Sequence, residues 1–480
     1  MGYLSSPIGK LKEREMQYDL IIIGSGPGGY VAAIRASQLK MKVAIIEKEN
    51  LGGICLNWGC IPTKALLKSA QVFNYIKHSE AYGINVENAD ADFSEIIKRS
   101  RSVANTMSGG IKFLMKKNKI DVVEGTAILS MGNKVRVTLR DGAVSQLEAN
   151  NIIIATGARA KELPNLHIDG EKIIGYRQAL TLDEVPGRMV VVGAGAIGVE
   201  FAYFYRSMGA EVIIVEFLEQ GILPREDMDI SKELKREFKK QEIKVLAGTS
   251  VERVQSGTNG LEVTVKKRMD GKEEQIYCDI VLSATGISPN TENIGLEDIG
   301  VKTDRDFITV DEYYQTSVPG VYAIGDVIPT IALAHVASAE GITCVEKIAG
   351  LNPEPIDYNN IPSCTYCSPE VASVGMTEIQ AQDAGYSLKI GKFPFSASGK
   401  ANAAGNKAGF VKVIFDEKYG EFLGAHFIGD NVTEMIAEIV AARKLETTGH
   451  ELIKTIHPHP TMSEAVMEAV AAAYGEVIHI

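Results

Sequence analysis

Tryptophan occurs once in this 480-residue chain and cysteine six times. Six thiols over such a length are no secreted disulfide framework, which packs its cysteines densely into a short domain. Long apolar runs are also missing, since no uncharged stretch reaches the ~18–20 residues a membrane span needs. Positive charge is in deficit: Lys and Arg number 50 against 61 Asp and Glu, for a net charge of −11. That balance argues against nucleic acid or an anionic membrane as the main partner, because both select basic surfaces. The first nineteen residues, MGYLSSPIGKLKEREMQYD, hold no apolar signal core and too much acid for a transit peptide, so a cytoplasmic location is expected. What remains is ordinary globular material, 45% hydrophobic and 23% charged. It is too long for one hydrophobic core, and three or four domains are expected.

An internal echo organises the first half. The run Asp19-Leu20-Ile21-Ile22-Ile23 leads at once into Gly24-Ser25-Gly26-Pro27-Gly28-Gly29. Met189-Val190-Val191-Val192 leads in the same way into Gly193-Ala194-Gly195-Ala196-Ile197-Gly198. Each loop enters an Ala-rich, helix-compatible stretch, Tyr30 to Leu39 and Val199 to Met208. Each returns through a second apolar run, Val43 to Ile46 and Val212 to Val215, ending on Glu47 and Glu216. The fold class is therefore α/β, with two Rossmann-like β-turn-α-β units. Their glycines make the tight turn, let backbone approach a pyrophosphate and allow close helix–strand packing. The pyrophosphate sits on the helix N-terminus, where N–H groups and the dipole favour an anion. Glu47 and Glu216 would accept from ribose hydroxyls. An acid repels a 2′-phosphate and Phe217-Leu218-Glu219 adds no Arg, so the second site is expected to take NAD rather than NADP. Strands closing on Thr156-Gly157 and Thr285-Gly286 follow, then a third ending in Asp326. The last ~120 residues alternate strand runs with Ala-rich helical stretches, an α+β texture.

Just after Glu47 comes Leu51-Gly52-Gly53-Ile54-Cys55-Leu56-Asn57-Trp58-Gly59-Cys60-Ile61-Pro62-Thr63-Lys64. In a regular helix two cysteines five positions apart have Cα atoms about 8–9 Å apart, and a disulfide tolerates about 7 Å. A bond would need bent backbone, which Gly52, Gly53, Gly59 and Pro62 can supply. In a reducing compartment such a pair points to redox chemistry rather than a structural staple; two buried thiols are the alternative. Beside two dinucleotide sites, the thiols suggest that the first dinucleotide is FAD, which passes electrons between nicotinamide and disulfide.

The chain resembles the flavoprotein disulfide reductases from about Tyr18 to its end. Three motifs carry the resemblance. They are the first glycine loop with Glu47, the Gly-Gly-x-Cys-x4-Cys-Ile-Pro-x-Lys segment, and His457-Pro458-His459-Pro460-Thr461-Met462-Ser463-Glu464. The resemblance implies an extension (1–17), an FAD domain (18–158), an NAD domain (159–287), a central domain (288–357) completing the FAD site, and a dimerisation domain (358–480). It implies a homodimer that oxidises dihydrolipoamide, carried on lipoyl domains of 2-oxo acid dehydrogenase or glycine cleavage complexes, while reducing NAD. The interchange thiol falls on Cys55 and the flavin-side thiol on Cys60. Lys64 falls beside the flavin, with Glu200 as its partner. FAD would touch Gly24, Gly26, Gly28, Gly29, Glu47, Ala127, Thr156, Gly157, Asp326 and Ala334. NAD would touch Gly193, Gly195, Gly198, Glu216, Val251 and Gly286. The base falls on His459, held by Glu464, and the resemblance implies that it serves Cys55 of the other subunit. Chemistry agrees, because a thiol of pKa ~8.5 needs a base near neutrality, and a carboxylate on the far nitrogen fixes the tautomer. His457 is the competitor.

Departures stand out. Trp58 lies between the cysteines where the family has a small aliphatic residue; packing is the expected role and a narrowed substrate approach the alternative. Cys364-Thr365-Tyr366-Cys367 is an added C-x-x-C with no complete zinc set. Two reduced, inert thiols are expected there, and a second redox pair is the alternative. Cys278 and Cys344 look like buried singletons, and residues 1–17 like a mobile extension. No metal site is expected. Glutathione-type reductases would want Arg after Val215, and mercuric reductases a terminal Cys pair. Another FAD/NAD-dependent disulfide reductase, or a non-catalytic FAD/NAD-binding redox sensor, is the competing function.

Overall fold

Glycine-bounded apolar runs become fully buried strands in this computed structural model, which describes residues 16–257 and 260–480. Contacts group the chain into two units, and the same building block recurs in each. The first unit takes residues up to Cys55 together with Met107–Ala158 and Pro289–Ile356. Its strand Met16–Ile23 pairs in parallel with Val43–Glu47 on one side and Val144–Ile154 on the other. Leu20, Ile21 and Ile22 have no exposed surface, as a parallel strand covered on both faces requires. Asp121–Ser130 pairs in parallel with Val43–Glu47 through its first half. Its second half joins Lys134–Leu139 in an antiparallel meander that returns into Val144–Ile154. Val321–Ala323 adds the last parallel strand, beside Ile152–Ile154.

Two helices cross tightly in this unit. A Cβ on Gly341, in helix Ala334–Ile348, would lie 2.7 Å from the Gly28 carbonyl of helix Pro27–Gln38. The first strand starts at Met16 and pairs Met16 with Leu147 and Gln17 with Glu148. Residues 16 and 17 of the expected extension are thus paired in the sheet, because the neighbouring strand offers its ladder that far. Residues 1–15 of the expected extension lie outside the described residues.

The second unit holds Leu56–Thr106, Arg159–Ser288 and Asp357–Ile480. Its parallel sheet runs in the order Lys244–Leu246, Glu211–Val215, Arg188–Val192, Ile280–Ser283, Ile173–Ile174. Helix Ala196–Met208 follows the glycine loop and is buried along most of its length. Three antiparallel strands, Thr249–Gly257, Gly260–Lys267 and Glu273–Cys278, form a separate sheet. The C-terminal part is a five-stranded antiparallel sheet. Its strands Phe410–Asp416 and Phe422–Gly429 are buried throughout. Helices Val432–Lys444 and Glu464–Ala473 pack their apolar residues into the core of that sheet.

Candidate active site

The two glycine loops are built alike, bond for bond. The Gly24 N–H donates to the Ile46 carbonyl and the Gly193 N–H to that of Val215, each over 2.8 Å. Gly24 and Gly193 share φ +102, a left-handed conformation that favours glycine. A Cβ would meet the Ala155 carbonyl oxygen at 2.3 Å in the first and that of Ala284 at 2.4 Å in the second. Gly29 and Gly198 press equally close on Gly24 and Gly193, so any side chain there would drive helix from strand. Gly26 and Gly195 are the N-caps, and around their Cβ positions nothing lies within 4 Å. No side chain caps either helix, which leaves the first N–H groups directed outward, as a pyrophosphate requires.

Both acids brace their own loops. Glu47 accepts from the Ser25 N–H (3.0 Å), the Ser25 hydroxyl (2.6 Å) and the Glu49 N–H (2.8 Å). Glu216 accepts from the N–H groups of Ala194 (2.7 Å) and Leu218 (2.8 Å). Both carboxylates are buried, and remaining lone pairs can take ribose hydroxyls. In the first unit Asp326 sits in the short turn Gly325–Val327, where burial pushes its carboxyl up. Ala334 opens helix Ala334–Ile348, whose N-terminus also lacks a side-chain cap. Gly157 and Gly286 close equivalent strands in left-handed conformations, φ +69 and +117. Ala127 and Val251 are buried within paired strands, and the Val251 carbonyl accepts from Asn165 Nδ2. The cradles fit two dinucleotides.

The cysteine segment starts against the first loop. Gly52 donates to the Ser25 carbonyl (3.0 Å), and a Cβ on Gly53 would lie 2.7 Å from the Cα of Gly26. Cys55 then lies on helix Gly53–Trp58, while Cys60 opens helix Cys60–Lys77. Gly59 breaks the two apart with non-helical φ −141, ψ −115, so the bend expected from the glycines is present. Both thiols are half-buried. Cys60 stands at the N-terminus of an 18-residue helix, where the dipole favours a thiolate.

Lys64, one turn on, places its ammonium 2.9 Å from both oxygens of Glu200. Glu200 is nearly buried and also accepts the Tyr366 N–H at 3.0 Å, and Lys64 lies 4.3 Å from the Tyr366 ring centroid. Tyr366 was not foreseen as a partner of this pair: it is some 300 positions from Lys64 and stood out only as an interior residue of the C-x-x-C. Arg268 was not foreseen either. Its guanidinium covers the exposed Phe217 ring at 4.1 Å and reaches the Phe217 carbonyl at 3.3 Å, next to Glu216. The antiparallel sheet thus delivers the arginine that the residues after Val215 lack.

The two histidines separate cleanly. His459 is 78% exposed, and its Nδ1 meets Glu464 Oε1 at 2.8 Å. Glu464 accepts the Thr461 N–H through its other oxygen at 2.8 Å. Burial pushes the Glu464 carboxyl up, but the Thr461 N–H and His459 outweigh it and hold it below the usual range. An ionised carboxylate only accepts, so Nδ1 carries the proton and Nε2 is left as the base. His457 is 5% exposed and locked at both nitrogens, to Glu438 (2.7 Å) and the Thr455 carbonyl (3.0 Å). Two acceptors make it a structural cation.

The remaining cysteines are quiet. Burial, then Glu370, raises the Cys364 thiol to about 11, and burial, then Glu200, raises that of Cys367 well above the ordinary thiol range. Cys364 and Cys367 are not disulfide-bonded to each other. Cys278 and Cys344 are buried, with thiols pushed up by burial. Trp58 packs at the edge of the apolar core of the second unit.

Two dinucleotide loops, with the segment leading to Cys55 set against the first, define a nucleotide-dependent oxidoreductase. The chain belongs to the pyridine nucleotide-disulphide oxidoreductase family, whose model matches residues 18–341 while that of its dimerisation domain matches 361–470. The cofactors of that family are FAD and NAD. A dihydrolipoyl dehydrogenase of Rhizobium etli is 48% identical over 478 residues, covering 96% of this chain and 99% of its own. That of Zymomonas mobilis is 49% identical over 463 residues with the same coverage. Among solved structures, LpdA from Mycobacterium tuberculosis superposes with a TM-score of 0.87 at 27% identity, over 94% of this chain and 98% of its own. The HOCl-induced flavoprotein disulfide reductase RclA from Escherichia coli gives 0.83 at 27%, over 95% and 99%. No helix among the described residues is long and apolar enough to cross a membrane.

Proposed function

We propose that this chain is a dihydrolipoyl dehydrogenase, oxidising dihydrolipoamide to lipoamide through Cys55 and Cys60 and reducing NAD. The observation that carries the reading is the seating of the cysteine segment on the first glycine loop, Gly53 against Gly26. That seating supports a redox pair whose electrons pass to the nucleotide of the first loop. In the oxidised protein Cys55 and Cys60 form a disulfide. A substrate thiolate attacks Cys55 Sγ, forming a mixed disulfide and releasing Cys60 as thiolate. The second substrate thiolate then attacks the substrate sulfur of that mixed disulfide, releasing lipoamide and leaving Cys55 reduced. His459 Nε2 takes the proton of the first attacking thiol and releases it to solvent, then takes that of the second and returns it to the departing Cys55 thiolate, while Glu464 steadies the imidazolium through Nδ1. Bound FAD supplies the relay that passes the electron pair from the dithiol to NAD.

Lys64, held by Glu200, presents a fixed positive charge beside Cys60 on the same helix. Gly24, Gly26, Gly28, Gly29, Glu47, Thr156, Gly157, Asp326 and Ala334 would hold FAD within residues 18–158 and 288–357. Gly193, Gly195, Gly198 and Glu216 would hold NAD within 159–287, and residues 358–480 would pair two subunits. The working form is a cytoplasmic homodimer whose substrate rides on lipoyl domains of a 2-oxo acid dehydrogenase or glycine cleavage complex. Purified protein should be yellow, be bleached by NADH, and form NADH when given dihydrolipoamide and NAD. Protein that NADH bleaches but that leaves dihydrolipoamide untouched would be a different disulfide reductase or a redox-sensing subunit.

A further inference from the structure

Three consecutive residues of helix Phe93–Lys117 brace the cysteine segment at three points along its length. Arg101 Nη1 donates to the Asn57 carbonyl at 2.6 Å, Ser100 Oγ to that of Pro62 at 2.9 Å, and Arg99 Nη1 to that of Ala65 at 2.8 Å. These are carbonyls around a broken helix. Pro62 has no N–H to give back to the preceding turn, and Gly59 departs from helical angles. Of these three braces, that of Arg101 alone falls between the two cysteines. The same guanidinium lies 4.3 Å from the Trp58 ring centroid, with Arg177 at 5.3 Å. Among the described residues the buried Trp58 indole N–H has no hydrogen-bond partner, so stacking, not hydrogen bonding, holds the ring there. Burial disfavours the charge of Arg101, whose pKa is lowered, yet the planar fork is kept there, bonded on its edge and stacked on its face.

We propose that Arg101, through the Asn57 carbonyl and the Trp58 ring, fixes the bend between Cys55 and Cys60 and so favours their disulfide over the dithiol. It is a positioning residue, and the proposal rests on Cys55 and Cys60 being the redox pair.

The test is equilibration of the holoenzyme with glutathione buffers, followed by acid quench, maleimide labelling and mass spectrometry of the peptide carrying both cysteines. In each exchange two glutathione thiols become one glutathione disulfide while the Cys55–Cys60 disulfide becomes two thiols. Arg101→Met should reach half-reduction at an about tenfold less reducing glutathione ratio, the effect of one lost charge-assisted bond. Arg101→Lys keeps the charge and loses the fork, and should shift the same way. Trp58→Phe, a milder change, should do so too and carries the test if Arg101→Met does not fold. Arg99→Gln, which breaks a brace beyond Cys60, should leave the ratio unchanged. The proposal is overturned if the Arg101 and Trp58 variants titrate like the parent, if Arg101→Met shifts the opposite way, or if Arg99→Gln shifts equally. A parent protein that forms no Cys55–Cys60 disulfide after oxidation overturns the redox assignment itself.

Discussion

Glu216 does two jobs with one carboxylate. It ties down the second glycine loop through the Ala194 and Leu218 N–H groups, and on the proposed reading its charge faces the ribose of NAD. A 2′-phosphate beside it would meet a repulsion on the order of 1–4 kcal/mol. Arg268, already stacked on Phe217, waits next to it with the opposite charge. Glu216→Gln removes the charge but keeps an amide oxygen for the loop. The ratio of kcat/KM for NADPH to that for NADH should then rise at least about tenfold. Steady-state kinetics with both nucleotides decide it, and an unchanged ratio would mean that Glu216 does not face the ribose. The double variant Glu216→Gln, Arg268→Ala should lose most of the gain.

Elements are held to one another in the second unit by buried charge as much as by apolar packing. Lys412, on strand Phe410–Asp416, is 2% exposed and meets Asp227 (2.8 Å), Glu378 (2.7 Å) and Asp229 (3.2 Å). Burial opposes its charge, but Asp227 and Glu378 overcome it and raise its pKa. Lys412→Met leaves the buried Asp227 carboxylate without its cation and should cost about 3–5 kcal/mol in denaturant unfolding. Lys392→Met removes an exposed lysine 3.4 Å from Asp229 and should cost under about 1 kcal/mol. Equal losses would show that burial is not what matters. His457 gives a pH-dependent counterpart between helix Val432–Lys444 and the histidine turn. Its bond to Glu438 raises its pKa from 6.5. That stabilisation is full below 6.5 and is lost as pH rises through the raised value. His457→Gln should therefore lower the melting temperature more at about pH 5.5 than at about pH 9.

The same contrast explains what could be read beforehand. Both glycine loops were legible because a strand, a turn and a helix close their bonds within about twenty residues. Glu47 and Glu216 each sit 22 positions from the loop N–H they hold. The helix starts moved most, to Pro27 and Ala196, since Ala-rich periodicity marks a helix body better than its first turn. Lys64 and Glu200 meet across 136 positions and came only through the family resemblance. Tyr366, Arg101 and Arg268 had no local pattern, because their partners are chosen by how distant elements cross.

At the scale of the whole molecule the base and the thiol pose one question. His459 stands exposed in the C-terminal part, its Nδ1 occupied by Glu464, in the region matched by the dimerisation domain. If it serves Cys55 of the opposite subunit, no single chain contains a complete site. His459→Gln should lower dihydrolipoamide oxidation by ~10²–10⁴, while reduction of the bound flavin by NADH survives, since hydride transfer does not use that base. Cys55→Ser should likewise be inactive with dihydrolipoamide. Mixing the two variants under conditions that exchange subunits gives heterodimers with one site carrying both lesions and one carrying neither. A preparation of differently tagged heterodimers, isolated by sequential affinity steps, should recover about half the parental activity, the share expected if the two sites of a dimer work independently. Isolated heterodimers as inactive as their parents would put His459 and Cys55 of one site in the same chain.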